Sequence, residues 1–307
     1  MSLVTFCDST CEFPSGKLSQ LRDANDLKGD NAALRQRINK DGYLWFKDFF
    51  DRDAVIEARR TILEFMDERG GIKSNTELMD GIHTKGAADV SLMGNQDITH
   101  HKDVRRILDA PELFSFFGEF FAEEASSFAY KWLRATLPGE FTGVHMDHVY
   151  MGMGSQDLHT AWIPLGDITP VEGSLALASG SHKAESFRSL RDTYGKIDVD
   201  RDQIPGWYST SPDELSDQFH ARWQTSCFEM GDVVIFGLHT IHCSTTNSSD
   251  HLRLSADVRF QPASQPMDER WSGENPKGHG HVPSNAGEPL RKEDLDAQLA
   301  ASLKPQQ

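Results

Sequence analysis

The feature that most constrains the fold is a change in the spacing of apolar residues near Glu124. Before it, residues 51–68 carry apolar side chains at helical spacing, and a second helical region over about 103–124 is interrupted near Pro111. After it, short runs of bulky residues alternate with turn signals. These runs lie at residues 128–135, 144–151, 159–165, 174–178, 223–228, 233–238 and 252–260. Helices followed by many short strands predict a mainly β fold with flanking helices, either a barrel or a sandwich.

The same patterns divide the chain into segments. Residues 1–30 are polar and weakly patterned, which predicts an N-terminal extension. Residues 31–263 are predicted to form the β domain, and residues 264–307 a C-terminal tail. A charged insertion at about 182–222 interrupts the strands. We expect this insertion to act as a lid over a site in the β domain.

The charge of the chain limits its partners. Its 31 Lys and Arg residues against 47 Asp and Glu residues give a net charge of −16. Such a surface repels phosphate backbones and anionic lipids, so we expect no nucleic-acid or membrane partner. The sequence starts without the basic and then apolar order of a signal peptide, and its four cysteines are too few for a disulfide framework. These features predict a cytoplasmic protein and leave its oligomeric state open.

The spacing His-x-Asp occurs twice and suggests a metal site. On a strand, residues i and i+2 lie on one face, so His145 and Asp147 are placed to chelate one ion. The second copy, His101 and Asp103, begins a helical segment, where this spacing does not share a face. We therefore interpret the second copy as a helix start.

A third ligand follows the run at residues 233–238. His239 and His242 are both candidates, but only His242 is followed by Ser244, Asn247 and Arg253. The pattern therefore favours His242 over His239 as the third ligand.

This ligand set is typical of an oxygenase metal site. Two histidines and one carboxylate leave three positions of an octahedral Fe(II) open, which suits a bidentate 2-oxoacid and O2. Arg253, followed by Ser255, is a fitting anchor for the distal carboxylate of 2-oxoglutarate, because its planar guanidinium binds carboxylates through two hydrogen bonds. A cupin-like hydrolase or isomerase, and a catalytically silent metal sensor, remain as alternatives.

The ordered set of motifs resembles the phytanoyl-CoA dioxygenase family of Fe(II)/2-oxoglutarate-dependent oxygenases. The resemblance covers about residues 41–262. It rests on His145-x-Asp147, Trp162-Ile163-Pro164-Leu165, Glu172-Gly173-Ser174-Leu175, Ser179-Gly180-Ser181-His182, Gly231-Asp232, His242-x-Ser244-x-x-Asn247 and Arg253-x-Ser255.

The resemblance carries several implications. It implies a double-stranded β-helix (a jelly-roll barrel) with iron on His145, Asp147 and His242. It also implies that 2-oxoglutarate binds near side chains of three later segments. These side chains are Trp162, Ser244, Arg253 and Ser255. The expected reaction is hydroxylation of a C–H bond with release of succinate and CO2, since halogenating relatives replace the carboxylate ligand with a small residue. Desaturation, cyclisation and endoperoxidation use the same ligands and stay open.

The expected substrate is a small molecule. The family name suggests an acyl-CoA, but similarity at the iron does not carry substrate class, and the net charge of −16 disfavours a polyphosphate. A small natural product or amine-type metabolite is the preferred class. Candidate substrate contacts are Trp207 and Tyr208 in the insertion, and His148 next to the metal motif.

Overall fold

The computed structural model describes residues 1–87, 92–280, 288–291 and 293–295. Its strands are β1 (Ser2–Phe6), β2 (Ser9–Phe13), β3 (Leu18–Gln20), β4 (Tyr43–Phe46), β5 (Ala125–Ser127), β6 (Trp132–Thr136), β7 (His159–Pro164), β8 (Leu175–Ala178), β9 (Trp223–Thr225), β10 (Val233–Gly237), β11 (His242–Ser244) and β12 (Arg253–Pro262). Its α-helices are α1 (Asn31–Asp41), α2 (Arg52–Asp67), α3 (Gln96–Thr99), α4 (Lys102–Leu108), α5 (Pro111–Phe121), α6 (His148–Met151), α7 (Arg188–Asp192), α8 (Val199–Asp202) and α9 (Pro212–Phe219). The prediction of a mainly β fold with flanking helices is confirmed.

Two sheets form the β domain. In the larger sheet the strand order is β4-β10-β7-β12-β5, and β6 also pairs with β12. In the smaller sheet the order is β11-β8-β9-β3. A cavity lined by residues of both sheets lies between them.

The two faces of strand β12 have different surroundings: one packs in the apolar core, and the other lines the cavity. Leu254, Ala256, Val258 and Phe260 belong to the apolar core shared with the flanking helices. The alternate residues Arg253, Asp257 and Arg259 line the cavity, as the period of two in a strand requires. All ten residues of Arg253–Pro262 are buried. The polar face of this strand therefore lies inside the molecule.

The helices before Glu124 follow the sequence pattern. The pattern at residues 51–68 becomes α2, whose N-cap Asp51 accepts a hydrogen bond from the backbone N of Ala54 at 2.9 Å. The interruption near Pro111 separates α4 from α5, and Pro111 is the first residue of α5. Both helices contribute to the core on the outer face of the larger sheet.

The strand expected over residues 144–151 is wrong in its second half. Val144 and His145 make isolated bridges to Ser209 and His242, and the chain then turns into α6. Asp147 begins this turn, because its carbonyl accepts hydrogen bonds from the backbone N atoms of Tyr150 and Met151. The one-face spacing of a strand therefore does not explain why His145 and Asp147 lie together.

The proposed segments pack against the β domain. Residues 1–30 contain β1, β2 and β3, and β3 pairs in parallel with β9 in the smaller sheet. The insertion at 182–222 contains α7, α8 and α9. Residues 281–287, 292 and 296–307 of the expected tail lie outside the described residues. The division into extension, domain and tail stays a prediction.

The described part of the tail is fixed to the insertion. Arg270 donates to Asp268 at 2.7 Å, lies 3.3 Å from Asp198 and also pairs with Asp200. The next residue, Trp271, is fully buried.

Among the described residues, no helix combines the length and apolar character needed to cross a membrane.

Candidate metal centre

Three side chains from two distant segments of the sequence converge at the wall of the cavity. His145 and Asp147 come from the bridge and turn before α6, and His242 is the first residue of β11. Oδ1 of Asp147 lies 3.8 Å from Nε2 of His145 and 3.6 Å from Nε2 of His242. One ligand atom from each residue lies within 4.8 Å of the other two. The three predicted ligands are therefore brought together.

Backbone pairing places the two histidines. The backbone N of His145 donates to the carbonyl of His242, and the backbone N of His242 donates back, both at 2.9 Å. Nδ1 of His145 is 2.8 Å from the carbonyl of Gly143, and Nδ1 of His242 is 2.9 Å from the carbonyl of Thr240. A carbonyl accepts only, so each Nδ1 carries the proton and each Nε2 keeps its lone pair for a metal. This arrangement fits a divalent transition metal.

Burial and neighbouring charges together keep the three ligands in their metal-binding protonation states. Burial, together with a smaller contribution from the neighbouring His242, lowers the pKa of His145 to about 3. Burial also lowers the pKa of His242. For Asp147, burial favours the neutral acid, but Arg259 and the two histidines outweigh it and hold the pKa well below its usual range. Two neutral imidazoles and one carboxylate are therefore present at neutral pH.

The same cavity is lined by most of the residues expected at the 2-oxoglutarate site. It is lined by Arg134, Thr142, His145, Asp147, Trp162, Leu175, Phe236, His242, Cys243, Ser244, Arg253, Asp257 and Arg259. Ser255, on the same face of β12, lies beside this lining, because its Oγ accepts a hydrogen bond from Nη1 of Arg253 at 2.5 Å.

Arg253 is a buried cation with free hydrogen-bonding capacity. Its Nε has no hydrogen-bond partner among the described residues. Burial lowers its pKa to about 10, with a smaller contribution from Arg134, so it stays protonated at neutral pH. A buried guanidinium with an unused N–H fits the carboxylate of a co-substrate.

The other two expected co-substrate residues in the cavity lining are held by their neighbours. Ser244 accepts a hydrogen bond from the backbone N of Thr142 at 2.8 Å, and Trp162 packs against Phe228 with ring centroids 5.0 Å apart.

Sequence reasoning missed four polar residues of the site, of which Arg134, Asp257 and Arg259 line the cavity and Thr160 contacts Asp147. Nη2 of Arg259 and Oγ1 of Thr160 both donate to Oδ2 of Asp147, and Asp257 lies between Arg134 and Arg259. The alternation of polar residues after Arg253 was a signal for Asp257 and Arg259. Nothing in the sequence marked Thr160 or Arg134, because strand pairing brings them to the site.

The expected substrate contacts lie outside the residues that line this cavity. His148 stacks on His239 with ring centroids 4.5 Å apart. Trp207 stacks on Phe141, and Tyr208 packs against Tyr194 in the core cluster of the insertion. Their role in substrate binding stays a prediction.

A family comparison decides between the interpretations left open by the sequence. The family model described as Phytanoyl-CoA dioxygenase (PhyH) matches residues 38–255 of this chain. The chain belongs to the phytanoyl-CoA dioxygenase family. Together with the His-Asp-His group, this membership makes the chain an Fe(II)- and 2-oxoglutarate-dependent dioxygenase with O2 as its second co-substrate.

Two curated relatives share about a quarter of their residues with this family member. The 1-deoxypentalenic acid 11-beta-hydroxylase of Streptomyces arenae is 26% identical over 257 residues, covering 80% of this chain and 86% of the relative. The enzyme of the same name from Streptomyces exfoliatus is 27% identical over 265 residues, covering 80% and 87%. The matches therefore extend over most of both relatives.

Solved structures support the fold. EctD from S. alaskensis with bound Fe has a TM-score of 0.58 at 16% identity, covering 94% of this chain and 92% of that chain. The non-heme alpha ketoglutarate dependent carbocyclase SnoK from nogalamycin biosynthesis has a TM-score of 0.55 at 18% identity, covering 89% and 98%. The expected double-stranded β-helix is confirmed.

Proposed function

We propose that this dioxygenase hydroxylates a C–H bond of a small-molecule metabolite, with iron held by His145, Asp147 and His242 and 2-oxoglutarate anchored by Arg253. One observation carries the proposal. The three ligand atoms and the unused Nε of Arg253 border the same buried cavity. A metal site alone does not need a buried guanidinium at that position.

The charge of the cavity lining is compatible with a divalent metal and a dianionic co-substrate. Arg134, Arg253 and Arg259 line it together with Asp147 and Asp257, so the side chains carry a net positive charge. A dianionic co-substrate on a divalent metal adds no net charge to this balance. When bound, Fe(II) and 2-oxoglutarate activate O2, releasing succinate and CO2 and supplying the oxidant for the C–H bond.

The protein residues contribute to the reaction by orienting the co-substrate and by excluding water from the metal site. Arg253 fixes the distal carboxylate, and Ser244, Ser255 and Trp162 surround the co-substrate. His145, Asp147 and His242 are each less than a tenth exposed, which limits access of water to the reacting centre. Because Asp147 remains as a ligand, we favour hydroxylation over halogenation.

For the substrate we propose a small natural product or amine-type metabolite. The two curated relatives are named for a hydroxylation of 1-deoxypentalenic acid, which makes that acid the first compound to test. The net charge of −16 makes an acyl-CoA the second choice. The insertion at 182–222 as a lid, and a cytoplasmic location, stay predictions.

The test is iron-dependent and O2-dependent succinate formation. Wild-type protein with Fe(II), 2-oxoglutarate and 1-deoxypentalenic acid, an amine metabolite or a short acyl-CoA is expected to form succinate faster with at least one compound than without any. His242→Ala is expected to form none. Iron-loaded wild type that forms no succinate under any of these conditions would reject the proposal.

A further inference from the structure

The two oxygens of Asp147 have different surroundings. Oδ1 faces the histidines, at 3.8 Å from Nε2 of His145 and 3.6 Å from Nε2 of His242. Oδ2 accepts hydrogen bonds from Oγ1 of Thr160 at 2.5 Å and from Nη2 of Arg259 at 3.2 Å. One oxygen is thus directed to the metal position, and the other is occupied by the protein.

The two donors come from adjacent strands of the larger sheet. Thr160 on β7 and Arg259 on β12 are direct cross-strand partners. Each is 2% exposed. Asp147 itself lies at a turn and belongs to no strand, so its side chain depends on this pair for a fixed position.

Arg259 is held in place from two sides. Its Nη1 lies 3.6 Å from Oδ2 of Asp257, and Asp257 in turn accepts from Nε of Arg134 at 2.5 Å. Its guanidinium lies over the ring of Trp132, 4.7 Å from the centroid. The donor to Asp147 is therefore itself buried and placed by a neighbouring carboxylate and an aromatic ring.

We propose that Thr160 and Arg259 are positioning residues that hold Oδ2 of Asp147, so that this carboxylate binds the metal through Oδ1 alone. A free carboxylate can bind a metal through one or both oxygens. Binding through both would occupy a coordination position that 2-oxoglutarate or O2 requires. This inference rests on the proposed metal site and extends it to the residues that set its affinity and keep its open positions available.

The test measures binding of Mn(II), which replaces Fe(II) without reacting with O2. It compares a variant that lacks the Thr160 hydroxyl with a variant that keeps a hydroxyl. Thr160→Val removes the donor at nearly constant volume, and Thr160→Ser keeps it. We expect the dissociation constant for Mn(II) to rise about tenfold in Thr160→Val, as for other outer partners of metal ligands, and to stay near wild type in Thr160→Ser. At saturating Mn(II), the affinity of Thr160→Val for 2-oxoglutarate is expected to fall as well.

Thr225→Val is the matched control. Thr225 is also fully buried on a strand, and its Oγ1 hydrogen-bonds to the carbonyl of Leu175 at 2.6 Å and to Oγ of Ser174 at 2.7 Å rather than to a metal ligand. Circular dichroism checks folding, and Thr160→Ala provides a second deletion of the hydroxyl. Mn(II) affinity of Thr160→Val within twofold of wild type, or an equal loss in Thr225→Val, would overturn the proposal.

Failure of this inference is distinguishable from failure of the proposed function. Unchanged 2-oxoglutarate affinity in Thr160→Val, with weakened Mn(II) binding, would reject one-oxygen binding as the purpose of the contact. Wild type that binds Mn(II) but not 2-oxoglutarate would reject the proposed function, and the Mn(II) comparison would still test the role of Thr160.

Discussion

His101-Lys102-Asp103 and His145-Met146-Asp147 have the same spacing and opposite surroundings. In the first, Nδ1 of His101 lies 3.6 Å from Oδ2 of Asp103, and the two side chains are 45% and 38% exposed. In the second, the two side chains are only 6% and 3% exposed. His101 caps α4, whereas His145 pairs with the strand that carries a third ligand.

The difference shows that spacing alone does not build a metal site. At His145, the backbone bridge to β11 brings in His242 from a distant part of the sequence. At His101, the backbone starts a helix whose hydrogen bonds are local, so no strand is paired there. A His-x-Asp pair forms a metal site only when strand pairing brings a third ligand from a distant segment and burial excludes competing water.

Loss of a ligand gives the largest expected effect and tests this comparison first. His242→Ala is expected to weaken Fe(II) binding by more than about 100-fold, beyond the usual effect of losing an outer partner. His101→Ala is expected to leave it unchanged. Anaerobic Fe(II) titration measures both, and a comparable loss in the two variants would contradict the distinction between the two motifs.

Replacement of Arg253 gives the next largest expected effect, on the affinity for 2-oxoglutarate. Arg253→Ala is expected to weaken 2-oxoglutarate binding by about 10- to 100-fold, because a charge-assisted hydrogen bond to the distal carboxylate is lost. Metal affinity is expected to stay unchanged. Calorimetric titration of Mn(II) into metal-free protein measures the metal affinity, and titration of 2-oxoglutarate into the Mn(II)-loaded protein measures the co-substrate affinity. Arg188→Ala is the control, because the Arg188 side chain is exposed. Equal losses in the two variants would remove Arg253 from the co-substrate site.

The buried histidines predict a pH dependence of stability without metal. Burial, with a smaller contribution from His242, lowers the pKa of His145 to about 3 in the folded protein, against about 6.5 in an unfolded chain. As the pH falls below about 6.5, the unfolded chain binds a proton that the folded protein does not. Stability therefore falls with decreasing pH, by up to about 1.4 kcal/mol per pH unit for this group.

Urea unfolding with a chelator at pH 7.5 and 5.5 measures this loss. His145→Gln is expected to reduce the difference between the two pH values. His101→Gln serves as the control, because its side chain is already 45% exposed in the folded protein. An identical pH dependence in wild type and His145→Gln would contradict the role of burial.

The smallest effect is expected at the helix start. Nδ1 of His101 accepts from the backbone N of Asp103 at 3.4 Å, so His101→Ala removes one cap contact of α4. We expect a loss of about 1 kcal/mol or less in the free energy of unfolding. Urea denaturation in metal-free buffer measures it. A loss of several kcal/mol would show that this region is more than a surface cap.

The sequence predicted those parts of the fold and site that depend on local pattern. The run at residues 252–260, which falls in β12, and the helical spacing of α2 were visible in the residues, and so was the order of the metal motifs. The second half of the run at 144–151 was not, because the turn at Asp147 is made by its own backbone hydrogen bonds. Apolar residues such as Val149 and Met151 are compatible with a strand and with a short helix, so the sequence did not distinguish the two.

The missed features depend on pairing between distant segments. β3 is short and polar, and it becomes a strand only by pairing with β9. Thr160 carries no motif, and its contact with Asp147 follows from its register against Arg259. Such contacts need the strand register, which a single sequence leaves undetermined.

The most direct test of the central claim is the visible charge-transfer band of Fe(II) with 2-oxoglutarate, recorded without O2. Wild-type protein is expected to develop the band with one equivalent of 2-oxoglutarate, and His101→Ala is expected to match it. His242→Ala should develop none, and Arg253→Ala should need a much higher 2-oxoglutarate concentration. Iron-loaded wild type without a band, or an intact band in His242→Ala, would contradict the assignment of the site.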